Sequence, residues 1–87
     1  MTLSIKIDIK NITTQQIKAA RMLLGWDQLE LARRAGVGVA TLRRIEAIPG
    51  SIPESLMSGS KIVLALVDAN IEFLNTAKGL GVRLKSF

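Results

Sequence analysis

The sequence predicts a mainly helical single domain of four or five short helices, preceded by a strand and followed by a β-hairpin. Apolar residues recur at helical spacing in several segments through the middle of the chain, and glycines separate these segments. The two ends instead carry strand-like runs, one of them with strict alternation. The chain has 87 residues, which is enough for one small core and favours stabilisation by a partner subunit.

The N-terminal segment alternates apolar and polar residues with period two. Leu3, Ile5, Ile7 and Ile9 would share one face of a strand, opposite Ser4, Lys6, Asp8 and Lys10. We therefore expect residues 1–12 to form a strand, or else a loose arm, since chain termini are often poorly ordered. The segment lacks the continuous apolar run of a signal peptide, so none is predicted.

The next forty residues, 13–52, are predicted to form a helix-turn-helix core. Thr13 or Thr14 caps a helix that runs to about Leu24, where Gly25 ends it. Asp27 then caps a second helix, and Gly36-Val37-Gly38 supplies a tight turn. A third helix is expected over residues 39–47, followed by a loop marked by two prolines and a glycine.

Residues 53–87 are predicted to form a helix and a β-hairpin that support a homodimer. The helix spans Glu54–Asn70, with a possible break at Ser58-Gly59-Ser60, and Ile62–Val67 is apolar on nearly all sides. This run is too short to span a membrane, which needs about 20 residues. Strands are expected at Ile71–Leu74 and Val82–Leu84, joined by a turn formed by Asn75–Gly81. The predicted dimer interface comprises Ile62, Leu66, Ile71, Phe73, Val82 and Leu84.

The composition argues against an enzyme and favours an anionic partner. The chain has no histidine and no cysteine, so the commonest general base, metal ligand and thiolate nucleophile are all absent. The acidic residues show no paired or metal-ligand spacing, and we expect neither a metal nor a cofactor. A net charge of +5 fits nucleic acid as the partner, and the absence of cysteine fits a reducing cytoplasm.

The third predicted helix divides into an apolar face and a basic face. At about 100° per residue, Leu42 and Ile45 fall on one side. Val39, Ala40, Arg43 and Arg44 fall on the other side. An arginine fork pairs with two acceptors of guanine, whereas small apolar side chains fit thymine methyl groups. This face is predicted to contact duplex DNA in the major groove.

Other polar residues of the core receive different roles. Gln28, at the first turn of the second helix, is placed to meet a DNA phosphate together with free backbone amides. Arg21 and Glu46 border the inner faces of the first and third helices, which predicts a structural ion pair. Arg33 and Arg34 are interpreted as general electrostatic surface, and Trp26 as a core residue.

From Ile17 to Glu46 the sequence resembles the phage-repressor-like helix-turn-helix proteins, also called the Xre or Cro/C1 type. The resemblance rests on Arg21, Gly25, Gly36-Val37, Leu42, Ile45-Glu46 and the Gln28-Leu29-Glu30-Leu31-Ala32 run. Small members of this family also resemble the C-terminal half, through Ile71–Phe73 and Gly81–Leu84.

The resemblance implies a lambda-repressor-like bundle that regulates transcription, as a repressor, by binding an operator as a dimer. Residues 39–47 would then be the recognition helix, with Gln28, Gly38, Val39, Ala40, Arg43 and Arg44 as the DNA-binding residues and Arg21–Glu46 as the family's internal ion pair.

Two alternative functions remain open at this stage. The chain could be an antitoxin that represses its own operon and also binds a toxin, since one fold serves both uses. It could also be a protein-interaction adaptor that has lost DNA binding. Asp27 and Gly38 favour the adaptor, because the family usually has Ser or Thr at both positions, whereas the outward arginines argue against it.

Overall fold

The computed structural model describes residues 11–53 and 57–86. These residues form four helices and a two-stranded antiparallel sheet, in the order α1 (Thr14–Leu23), α2 (Gln28–Ala35), α3 (Val39–Ala47), α4 (Met57–Asp68), β1 (Ile71–Thr76) and β2 (Gly79–Leu84). The predicted helical bundle with a C-terminal hairpin is therefore confirmed. The predicted N-terminal strand lies outside the described residues, as does the start of the helix predicted from Glu54.

Both ends of α1 are formed by the local signals that predicted them. The Thr13 hydroxyl accepts a hydrogen bond from the Gln16 amide at 3.2 Å, and the Gln16 side-chain oxygen accepts one from the Thr13 amide at 2.9 Å. This reciprocal capping box satisfies two donors that a helix start leaves free. At the other end Gly25 has a φ of +70°, which lets the Trp26 amide donate to the Arg21 carbonyl and close the helix.

The hydrophobic core lies where the four helices meet the start of β1. Its buried apolar members are Ile12, Ile17, Ala20, Leu31, Ala32, Leu42, Ile45, Ile52, Ile62, Val63, Leu66 and Ile71. Helix α4 is unbroken from Met57 to Asp68, so the possible break at residues 58–60 does not occur. It is also less covered than predicted, because Leu64 lies on its solvent side with 57% of its surface exposed.

The hairpin is longer and its turn tighter than the sequence predicted. Strands β1 and β2 pair from Ile71 opposite Leu84 to Thr76 opposite Gly79, which leaves only residues 77 and 78 in the turn. The Thr76 hydroxyl accepts a hydrogen bond from the Lys78 amide at 3.1 Å, and Gly79 has a φ of +130°. The glycines that suggested a long loop therefore lie within a paired strand, where cross-strand bonds outweigh weak strand propensity.

Two polar residues at the start of α1 hold the loops and the hairpin in place. The buried Gln16 side-chain amide donates to the carbonyl oxygens of Leu74 at 3.0 Å and Gly81 at 2.8 Å. The Thr14 hydroxyl donates to the Ile48 carbonyl at 2.7 Å, just beyond α3. Helix α1 is therefore bonded both to the hairpin and to the chain that leaves α3.

Candidate nucleic-acid interface

Helices α2 and α3 are joined by a tight turn that sets α3 on the surface of the bundle. The Asp27 carboxylate caps α2 by accepting from the Glu30 amide at 2.8 Å. At the other end Gly36 has a φ of +71°, and the Val37 amide donates to the Ala32 carbonyl at 3.0 Å. Gly38 then begins α3 without a side-chain cap, because it has no hydroxyl or carboxylate. Helix α3 runs from Val39 to Ala47, as predicted.

The two faces of α3 differ as the helical spacing predicted, with one exception. Leu42 and Ile45 are buried against the rest of the core, whereas Ala40, Arg43 and Arg44 are exposed. Val39 is half-buried and packs on the core, so it presents only part of its side chain outward. The exposed face of α3 therefore consists mainly of two arginines and an alanine.

The predicted pair between Arg21 and Glu46 is present and ties α1 to α3. The Arg21 guanidinium donates through two nitrogens to the two Glu46 carboxylate oxygens, each at 2.9 Å. A third nitrogen donates to the Trp26 carbonyl at 2.9 Å, in the turn before α2. This bidentate geometry fixes the angle between the helices as well as their distance. It therefore supports α3 from behind without using its exposed face.

Gln28 belongs to the same network, which changes its predicted role. Its side-chain amide donates to a Glu46 carboxylate oxygen at 3.1 Å. The amide group is thus directed inward and is bonded before any ligand arrives. What Gln28 retains for an anion is its backbone amide at the first position of α2, which no helical carbonyl can satisfy.

The four arginines of α2 and α3 fall into two groups by their partners. Arg33 and Arg34 donate to a Glu30 carboxylate oxygen at 2.5 and 2.6 Å, and the Arg34 guanidinium lies 4.3 Å from the centre of the Trp26 ring. These bonds from Arg33 and Arg34 lower the pKa of the Glu30 carboxyl below its ordinary value. Arg43 and Arg44, by contrast, form no ion pair with a carboxylate of the described residues.

The structure adds one exposed apolar residue that the sequence interpretation missed. Ile48, directly after α3, is 70% exposed and lines a shallow cavity of about 330 Å³ beside Arg44. The sequence offered one signal for this exposure, which is the position of Ile48 directly before Pro49. The proline ends the helix, so Ile48 does not join Leu42 and Ile45 on the buried face of α3.

Three of the residues predicted for a dimer interface need correction. Ile62, Leu66 and Ile71 are almost fully buried within the chain's own core, so they have no surface to offer to a second copy. Phe73 and Val82 are half-buried against the same core, and Leu84 is exposed. The apolar side of α4 that suggested a subunit contact is therefore buried within the core of a single chain.

Residues 17–48, from α1 to just beyond α3, match the family model described as helix-turn-helix. The match spans the ion pair, the turn and the basic face of α3, and this part of the chain is similar to the Xre or Cro/C1-type helix-turn-helix family. The chain thus carries the domain of a DNA-binding regulator. A search of curated proteins finds no match. Within the described residues, no helix has the length and apolar character needed to span a membrane.

Proposed function

We propose that this protein is a sequence-specific repressor that binds an operator in duplex DNA as a homodimer, with α3 as the recognition helix. The observation that carries the proposal is the pair Arg43 and Arg44, both exposed on a helix whose opposite face is docked in the core. Neither guanidinium pairs with a carboxylate of the described residues, and an exposed guanidinium attracts phosphate and can pair with guanine. The proposed site of action is the cytoplasm, where such a regulator meets its operator.

Each residue of the proposed interface has a role that follows from its surroundings. Arg43 and Arg44 contact base edges or phosphates, and Ala40 with the exposed part of Val39 contacts thymine methyl groups. The backbone amides at Gln28 and Gly38, each at the start of a helix, contact phosphates on either side of the groove. The Gln28 side chain positions Glu46 rather than binding DNA.

The direct test is selection of binding sites from a pool of random duplexes, followed by titration of the selected duplex and a scrambled one at two salt concentrations. We expect enrichment of one sequence with two related half-sites, and tighter binding to it than to the scrambled duplex. Binding should weaken steeply as salt rises, because phosphate contacts release counterions. Recovery of no common sequence would contradict the proposal.

Single substitutions then test which arginines contact the DNA. Arg44→Ala should weaken binding to the selected duplex by about 1–3 kcal/mol and relax one position of the site. Arg33→Ala is the matched control, since Arg33 is an exposed arginine of the same motif that pairs with Glu30 instead. Equal losses for both variants would show that the effect is one of net charge only.

The proposed dimer uses the solvent side of α4. Met57 (80% exposed), Lys61, Leu64 and Asp68 form one exposed stripe at helical spacing. When two copies of α4 pack antiparallel about a two-fold axis near Leu64, Lys61 of each copy lies opposite Asp68 of the other. A two-fold interface requires such a self-complementary surface. The stripe has an apolar centre and opposite charges at matching distances from it.

A charge exchange tests this interface without altering the core. Sedimentation should detect a dimer of the native chain, and Lys61→Asp or Asp68→Lys alone should weaken it because like charges then face each other. The double variant should restore association, since the pairs are only reversed. Dimers that are equally stable in all four proteins would exclude the stripe as the interface, and a native monomer at micromolar concentration would exclude the dimer.

A further inference from the structure

Helix α3 ends differently from the two helices before it. Helices α1 and α2 are each followed by a glycine in the left-handed region, Gly25 with a φ of +70° and Gly36 with a φ of +71°. The residue that follows α3 is Ile48, which is extended with a φ of −111° and precedes Pro49. An extended residue before a proline leaves the carbonyls of the last helical turn to other partners. The end of α3 is therefore not closed by the glycine cap that closes α1 and α2.

The start of α1 holds the chain that leaves α3. The Thr14 hydroxyl donates to the Ile48 carbonyl at 2.7 Å, and the Thr14 amide donates to the Gly50 carbonyl at 2.8 Å. The Gln15 side-chain oxygen accepts a hydrogen bond from the Gly50 amide at 3.0 Å. These bonds join residues more than thirty positions apart. The backbone directly after α3 is thus fixed by a distant helix.

Thr14 is the buried member of this set of bonds. Its residue surface is only 2% exposed, whereas Gln15 is exposed. Water readily replaces a hydrogen bond at an exposed site, but it does not reach a buried one, so the loss of a buried donor leaves its acceptor unsatisfied. The Thr14 hydroxyl is therefore the bond on which the end of α3 depends most.

Arg44 lies in the last turn of α3, close to this bond. Thr14, Arg44 and Ile48 all line the shallow cavity of about 330 Å³ at this end of the helix. Helix α3 has nine residues and begins at Gly38 without a side-chain cap. A helix of this length is not stable on its own and depends on tertiary contacts. The position of Arg44 therefore follows from the bonds that hold the last turn of α3.

We propose that Thr14 is a positioning residue for DNA binding, whose hydroxyl fixes the last turn of α3 and through it the guanidinium of Arg44. The inference rests on the proposed function, because it takes Arg44 as a contact to the operator. Thr14 is buried and does not itself contact the DNA. Loss of the hydroxyl releases the last turn, and the affinity that is lost is the part that Arg44 contributes.

Hydrogen exchange of the free protein tests the first step without DNA. Thr14→Val removes the hydroxyl and keeps the shape of the side chain, whereas Thr14→Ser keeps the hydroxyl. In Thr14→Val we expect the Glu46 and Ala47 amides to exchange at least about tenfold faster relative to the Leu31 amide of α2, and in Thr14→Ser to keep their native ratio. Equal acceleration of all three amides, or of none, would overturn the proposal.

A double-mutant cycle on the selected duplex tests the second step. We expect Thr14→Val to weaken binding about five- to tenfold, which is part of the loss expected for Arg44→Ala. In the Arg44→Ala background the same substitution should change the affinity by less than about twofold, because the side chain that it positions is gone. In the Arg33→Ala background it should keep its full effect, because Arg33 lies on α2.

Thr76→Val is the matched control for loss of a threonine hydroxyl. That hydroxyl accepts from the Lys78 amide in the hairpin turn, so its removal should leave the affinity for the duplex unchanged. A Thr14→Val loss of equal size in all backgrounds would show that only the amount of folded protein has changed, and native affinity in Thr14→Val would equally overturn the proposal. If the native chain selects no common sequence, the proposed function itself fails, and the exchange ratios still decide whether Thr14 holds the end of α3.

Discussion

Arg21 and Glu46 form a bidentate ion pair on the inner side of α3, with side chains only 12% and 2% exposed. Glu46 is in addition the acceptor for the Gln28 side chain. One carboxylate therefore joins α1, the start of α2 and α3. The orientation of Arg43 and Arg44 depends on a charged group that itself never reaches the surface.

Removal of this charge should destabilise the fold. Glu46→Gln leaves the Arg21 guanidinium buried without a counter-charge, which we expect to lower the free energy of unfolding by about 3–5 kcal/mol. Urea unfolding measures the change. Glu72→Gln is the control, because the pair of Glu72 with Arg83 is largely exposed and is worth about 1 kcal/mol or less. Similar losses for both variants would contradict the assigned role.

Gln16 should be needed as an amide and not only as a polar residue. Gln16→Glu keeps the oxygen that caps α1 but replaces the donor that reaches the Leu74 and Gly81 carbonyls. We expect a loss of about 1–3 kcal/mol in unfolding free energy, because two carbonyls then face an acceptor. The exposed Gln15 accepts from the Gly50 amide through its oxygen, which glutamate retains, so Gln15→Glu should have little effect. If Gln16→Glu left the unfolding free energy unchanged, the hairpin would be held by its apolar contacts alone.

Glu30 should make stability depend on pH in the acid range. Its pKa is lowered in the folded state by hydrogen bonds from Arg33 and Arg34, from an ordinary value of 4.5. The stabilisation is therefore fully present above the unfolded pKa and is lost as pH falls through the folded pKa. We expect the difference in unfolding free energy between the native chain and Glu30→Gln to be largest near pH 6 and to shrink as the carboxyl is protonated. A difference that is constant down to pH 2 would contradict this assignment.

Gly38 is a position where the fold can be improved. It begins α3 with a φ of −71° and no side-chain cap, and an added Cβ meets only the Thr41 hydroxyl, at 3.9 Å. Gly38→Ser should stabilise the protein by a few tenths of a kcal/mol by capping α3, on the order expected for this exchange. Gly36→Ser, two residues earlier, should instead cost about 1 kcal/mol because Gly36 has a φ of +71°. Thermal unfolding of both variants tests the contrast.

The sequence alone determined the helices of the core and the division of α3 into two faces. Thr13, Asp27 and the glycines at 25 and 36 act within a few residues of themselves, so their capping and turn roles can be predicted from neighbours in the chain. The faces of α3 follow from the helical repeat for the same reason. The pair of Arg21 and Glu46 was predictable once both were placed on inner faces.

Only the tertiary structure decided which of the predicted surface residues are buried in the core or hydrogen-bonded within the chain. Whether Ile62 and Leu66 face a partner or the chain's own core depends on α1 and α2, which are distant in sequence. The Gln28 side chain is directed inward because Glu46 lies within hydrogen-bond distance, and the bonds of Gln16 to the hairpin join residues 58 and 65 positions apart. Local spacing carries information about conformation, whereas burial and bonding partners are set by which distant elements pack together.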